Sequence, residues 1–351
     1  MELINGILFH TTGASSAALC YTPQKKVRGW SWQTYWLAQA AFCWFLLPII
    51  VAFITIPDLL TVLKESPTSA MWKSFGLGMA YGIGGTAFGM AIRYVGFSLT
   101  YAIAVGISCI LGSLLPPIIN GELHEFLQSN GVAFHLGGVG LGVIGIACCG
   151  FAGRRKELEL DKIAAAEKQQ QVTSGFSLSK GLPLCLLAGV LSAFYGLAID
   201  QGKPIAIVAA AHQAGEFQTN VIYIFSNSGA FLTTLLYCLY LHNKQKTFGE
   251  YAAATGSDAK LSTNYAMSFL TGLLWYGQFF FYGLGAVRMG DKTYMSWAIH
   301  MLLLVLLSSI TGLLMKEWKG VSKRTISMLL IALAILTVAV LLITFGKYKD
   351  S

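Results

Sequence analysis

Ten apolar stretches, five on either side of one charged segment, fill most of the 351 residues and make the chain a polytopic membrane protein before any motif is read. They lie near residues 4–22, 34–57, 70–92, 97–119 and 131–153, and again near 180–199, 217–241, 262–286, 294–315 and 323–346. Each suffices for one helical bilayer crossing of roughly 20 residues. With 55% hydrophobic and only 11% charged residues, a water-soluble fold would lack the polar surface to cover itself. The longest polar stretch, 154–179, is too short for a separate catalytic or nucleic-acid-binding module. The sequence therefore predicts an all-α integral membrane protein with two five-helix halves, 1–153 and 180–351, joined by a charged cytoplasmic linker at 154–179 whose first part has the composition of a solvated helix.

The net charge of +8 reports orientation more readily than an acidic partner. Of the 24 basic residues, all except Lys64, Lys73, Lys203, Arg288, Lys292, Lys347 and Lys349 fall in the loops that follow spans one, three, five, seven and nine. The positive-inside rule then places those loops in the cytoplasm and both termini outside. The first span has only Glu2 ahead of it and no basic flank, so it is expected to be a retained helix and not a cleaved signal. Seven cysteines all fall within or at the ends of apolar stretches, none at Cys-x-x-Cys spacing, and read as small packing residues with no metal site.

The two halves match each other. A shift of 195 residues pairs Tyr81 with Tyr276, Gly82 with Gly277, Ala91 with Ala286, Arg93 with Arg288, Leu111 with Leu306 and Glu122 with Glu317. A shift of 176 pairs Gly13, Ser16 and Ala17 with Gly189, Ser192 and Ala193. Because five is odd, the second copy enters the membrane from the opposite side, an inverted repeat of the kind that supports alternating access, with a channel or inert scaffold as the competing readings.

Longer motifs carry a resemblance. Phe9-His10, Gly13-Ala14-Ser15-Ser16-Ala17-Ala18, Tyr21-Thr22-Pro23-Gln24-Lys25-Lys26-Val27 and Trp30-Ser31-Trp32 resemble the amino-terminal signature of the L-rhamnose/proton symporter family. Arg93-Tyr94-Val95-Gly96, Pro117-Ile118-Ile119-Asn120-Gly121, the run from Gly272 through Trp275, Tyr276 and Gln278 to Tyr282, Ser296-Trp297 with His300-Met301, and Lys316-Glu317-Trp318 extend it to the ninth span. The resemblance implies the drug/metabolite transporter fold, ten transmembrane helices in two inverted five-helix repeats. It also implies secondary uptake of L-rhamnose or a related deoxysugar with a proton across a bacterial inner membrane. Residues 198–217 and 289–293 depart from the pattern, which leaves the particular sugar open, along with another small metabolite or an outward direction.

A neutral sugar needs amide or hydroxyl partners beside aromatic faces. In the eighth span Gln278 is the one amide among six aromatic rings, and Trp275, Gln278, Phe279 and Tyr282 share a helical face by i, i+3, i+4, i+7 spacing. That face is expected to bind substrate, the alternative being a helix-packing face with Gln278 bonded across helices. Asn227 in the seventh span and Tyr81, the repeat mate of Tyr276, are further substrate candidates, though amides and small residues also hold membrane helices together. For proton coupling the titratable candidates within the spans are His10, His300 and Asp200, the last at the end of the sixth span. Arg93 and Arg288 at span ends are expected to snorkel toward headgroups. No His, Asp or Glu cluster in the spans has metal or acid/base spacing, so an enzyme is not expected. The expected partners are a sugar, a proton and the lipid bilayer, with no nucleic acid and no cofactor beyond the coupling ion.

Overall fold

The computed structural model describes residues 2–166, 177–253, 259–290 and 293–349, and the regular structure among them is helical. The helices are α1 (Glu2–Leu19), α2 (Trp32–Ala40), α3 (Leu47–Thr55), α4 (Leu59–Glu65), α5 (Thr68–Val95), α6 (Phe97–Ile119) and α7 (Leu123–Gln128). They continue as α8 (Val132–Ala166), α9 (Leu178–Gln201), α10 (Lys203–Ala211), α11 (Asn220–Gln245), α12 (Leu261–Met289), α13 (Thr293–Leu314) and α14 (Lys323–Lys349). Among the described residues eight helical runs are long and apolar enough to cross a membrane. Neither α1 nor α12 is among them, because Ser, Thr, Asn, Gln, His and Gly dilute their apolar content.

Two proline-dependent features shape the spans. Trp32–Thr55 is one apolar run, yet α2 and α3 are joined by a π-helical turn, Ala41–Leu46. Pro48 has no N–H to donate to the Trp44 carbonyl and its ring crowds that oxygen, so the turn before it widens. The sixth span, expected to end near 199, instead continues. Leu178–Ala211 forms one apolar run broken between Gln201 and Lys203, ahead of Pro204. Asp200, Gln201 and Lys203 lower the local hydropathy, but the apolar Ile205–Ala211 stretch resumes the helix, so Asp200 lies at a break inside the run and not at its end.

The charged segment begins as helix: α8 carries on to Ala166, supported by good helix formers and by an Arg154–Glu157 ion pair at 3.3 Å one turn apart. Residues 167–176 of this segment lie outside the described residues, as do residues 291–292 of the second segment that departs from the family pattern.

Two compact units emerge, Met1–Ile83 with Leu197–Asp291, and Gly84–Gly196 with Lys292–Ser351. In the first, α1 lies along α12, and α2, the π turn and α3 pack on α11 and α12. The N-terminal half of α5 meets α11 backbone to backbone, where a Cβ on Gly78 would sit 1.9 Å from the Ser226 carbonyl oxygen. Small residues permit this approach, which supplies van der Waals contact where lipid offers no hydrophobic driving force. In the second unit, α8 packs on α14 and α6, α13 on α6 and α14, and Ala87, Ala104 and Ala188 join α5, α6 and α9.

Candidate functional site

Trp275 on α12 is the hub of an aromatic cluster in the first unit. Its ring centroid lies 5.6 Å from Trp36, 5.3 Å from Trp44 and 5.6 Å from Tyr21, and Trp44 in turn meets Tyr81 at 5.9 Å in an edge-on contact. The second span delivers its side of this cluster by periodicity and by the π turn. Trp32, Trp36, Gln39 and Cys43 follow i, i+4, i+7, i+11 spacing and so share a face. An i→i+5 turn rotates side chains less per residue than an α turn, which brings Trp44 round to the same indole that Trp36 touches. The backbone of Gln39 and Cys43 packs so closely on α12 that a Cβ on Gly272 would come 3.0 Å from the Gln39 carbonyl oxygen.

The polar atoms of this cluster are its most informative part. Trp36 Nε1, Trp44 Nε1, the Tyr276 hydroxyl and both amide atoms of Gln39 are buried with no hydrogen-bond partner among the described residues. Gln39 is 0% exposed. A buried polar group left unmade costs about 1–3 kcal/mol. Four such side chains would cost a sum comparable to the whole stability of a typical fold, about 5–15 kcal/mol. Groups of this kind can be satisfied by a polar ligand or by water.

Further along α12, Phe279 and Tyr282 are buried on the face shared with Trp275, as the spacing predicts, whereas Gln278 is only half-buried. Tyr223 of α11 donates its hydroxyl to the Phe279 carbonyl at 2.7 Å. Asn227 is buried in α11 one turn beyond Tyr223. His10 is fully buried on α1, edge-on to Tyr282 with centroids 5.2 Å apart, and approaches α12 so closely that a Cβ on Gly285 would be 2.9 Å from its Nε2. Thus Trp275 and Tyr81 share one cluster, and His10 and Tyr282 touch directly. Asp200 is buried and held by Lys203 at 3.0 Å, one turn on. His300 is buried in the second unit, on α13, one turn beyond Trp297, whose Nε1 donates to the Ser108 carbonyl at 3.1 Å.

Arg288 departs from the snorkelling expectation. It folds back over α1, with the guanidinium 4.5 Å from the Phe9 ring, Nε 3.7 Å from Glu2, a close ion pair to Glu216 and a hydrogen bond from Nη1 to the Leu284 carbonyl at 3.3 Å. Carboxylates on two neighbouring segments and an aromatic face outcompete the headgroup region for this side chain. The side chain of its repeat mate Arg93 lies outside the described residues.

Sequence reasoning missed Trp36, Gln39 and Trp44. The signal was present, since Gln39 is an amide inside an apolar run and Pro48 marks an irregular turn, but the run as a whole reads as an ordinary membrane helix.

The family described as "L-rhamnose-proton symport protein (RhaT)" matches residues 1–348. An L-rhamnose-proton symporter of Cronobacter sakazakii is 35% identical over 343 residues, 97% of each chain. Proteins of the same name from Yersinia pestis and Yersinia pseudotuberculosis are 34% identical over 346 residues, 98% of each chain. End to end, therefore, this multi-pass membrane chain belongs to the L-rhamnose-proton symport protein family.

Proposed function

We propose that the protein takes up L-rhamnose together with a proton across a bacterial inner membrane by alternating access. The observation that carries this reading is the uncharged box around Trp275, in which indole faces sit beside buried indole N–H, phenol and amide groups awaiting partners. Sugars present alternating C–H faces and hydroxyls, which such a box matches. Trp275, Phe279, Tyr282, Tyr81, Gln278 and Asn227 are assigned to the sugar. His10, His300 and Asp200 are assigned to the proton, His10 first because it contacts the substrate face directly through Tyr282. A histidine titrates near neutral pH, and a buried ionisable group in a membrane protein is functional by default.

The proposed architecture is the drug/metabolite transporter fold, ten helices in two inverted five-helix halves, 1–153 and 180–351, with 154–179 as connector. The pattern of helix pairs supports it. If α9 repeats α1 and α12 repeats α5, the α1–α12 pair has its counterpart in the α5–α9 contact at Gly84 and Leu191. The pairs α6–α13 and α8–α14 map onto themselves under the same exchange. Duplicated bundles in opposite orientation can swap conformations and so open a site first to one face, then to the other.

Uptake of labelled L-rhamnose by proteoliposomes, with an inward proton gradient and with a protonophore, tests this. Accumulation that collapses with the gradient is expected. Equilibration without accumulation would make the protein a passive pathway and overturn the proposal.

A further inference from the structure

We infer that Gln39, which lies between Trp36 and Trp44 along the second span, is the principal hydrogen-bonding residue for the hydroxyls of a neutral sugar ring. This deepens the function proposed above and rests on it. Gln39 is the group in the cluster that both donates and accepts through separate atoms, and each of those atoms is buried with no partner among the described residues. The indole Nε1 atoms of Trp36 and Trp44 are donors only, so they suit ring or hydroxyl oxygens. The Tyr276 hydroxyl, buried on the adjoining position of α12, can serve in either direction. Trp275, touched by both indoles, supplies the flat apolar surface against which a sugar's C–H face packs.

The fold invests in this arrangement. Gln39 sits in the last turn before the π-helical Ala41–Leu46, and without that wider turn Trp44 would not face the same indole as Trp36. Leaving an amide inside the bilayer without a fixed protein partner is costly. A purely structural glutamine would be expected to bond across to a neighbouring helix, as Gln33 does when its Nε2 donates to Gln245 and Thr247 at 3.0 and 2.9 Å. Gln39 makes no such bond among the described residues.

The chemistry also selects by charge. Tyr21, Trp36, Gln39, Trp44, Trp275 and Tyr276 carry no formal charge at neutral pH, so a carboxylate or phosphate placed among them would be buried without a counter-ion. The subsite therefore takes the neutral sugar and rejects its aldonic acid.

Equilibrium binding of labelled L-rhamnose to the purified full-length protein tests the assignment. Gln39→Met keeps the side-chain volume and removes the amide, and should weaken binding about 10- to 100-fold, the loss of one or two hydrogen bonds to substrate, while thermal stability holds or rises. Trp44→Phe keeps an aromatic ring and removes the N–H, and should weaken binding severalfold. It carries the same test should Gln39→Met fail to fold. The aldonic acid should not compete with the wild-type protein. Wild-type protein that binds L-rhamnose, with Gln39→Met (or Trp44→Phe where Gln39→Met does not fold) binding it equally well, overturns the role of Gln39 and leaves the transport function standing. Wild-type protein that does not bind L-rhamnose overturns the function and this assignment with it.

Discussion

Substitution of Gly78 by alanine should drive α5 away from α11, and the neighbouring Gly76 provides the control. A Cβ on Gly78 would lie 1.9, 2.7 and 2.9 Å from the carbonyl oxygen, carbonyl carbon and Cα of Ser226. All three are backbone atoms, so no side chain can swing aside. Ordinary contact begins near 3.4 Å, which requires the two helices to separate locally by about 1.5 Å. Overpacking of this kind costs about 1–3 kcal/mol. Separation also stretches the hydrogen bond from Thr233 Oγ1 to the Met79 carbonyl, now 3.2 Å, worth about 1 kcal/mol. Replacing glycine by alanine in a helix returns up to about 1 kcal/mol, so the net loss is roughly 1–3 kcal/mol. At Gly76 a Cβ meets nothing within 4 Å, and alanine there keeps only the helix gain. Thermal unfolding of both variants in the same detergent should place Gly78→Ala several degrees below wild type and Gly76→Ala at or above it. Equal melting temperatures would refute close backbone packing as the basis of this contact.

Three further outcomes are expected. The Glu250 carboxylate accepts bonds from the Ser31 N–H and hydroxyl, both at 2.7 Å, and from the Thr34 hydroxyl. Burial pushes its carboxyl up, but the Thr34 and Ser31 donors outweigh that and hold it below the ordinary carboxylate value. A depressed carboxyl contributes stability that is present above the unfolded-state value and lost as pH falls through the folded one. The melting temperature should therefore fall on acidification between about pH 6 and pH 3, and Glu250→Gln should flatten that slope; an unchanged slope rules the contribution out. Glu159 of α8 caps α14, accepting from the Ser322 N–H at 2.7 Å, the Ser322 hydroxyl at 2.9 Å and the Thr325 hydroxyl at 2.7 Å. Glu159→Ala should lower the melting temperature, and an unchanged melting temperature would show that water replaces the carboxylate. His10→Gln should abolish proton-driven accumulation of L-rhamnose while sparing counterflow exchange, and undiminished accumulation would remove His10 from the coupling path.

The buried face of α12 was legible from sequence because helical periodicity is a local property. Trp275, Phe279 and Tyr282 recur at i, i+4 and i+7, and a residue's position on that wheel does not depend on its partners. Gln278 shows the limit of this reasoning. It lies on the same wheel, yet it is only half-buried, whereas Gln39 on α2 and Asn227 on α11 are fully buried amides. Arg288 shows the same limit, since its pairing with Glu2 and Glu216 joins residues more than 70 positions apart and the fold alone brings them together.

By itself the sequence determined that the chain lives in a membrane, nearly where its helices run, which family it resembles and which groups could bind a sugar or a proton. Those properties rest on composition, motif and period, all written along the chain. Tertiary structure decided which of those groups meet. Pro48 opens a π turn that carries Trp44 to Trp275, and Gly78 lets two backbones touch. Small shifts in helix phase and spacing, invisible to hydropathy, brought Trp36 and Trp44 to one indole and buried Gln39 and Tyr276 on the helices that carry them.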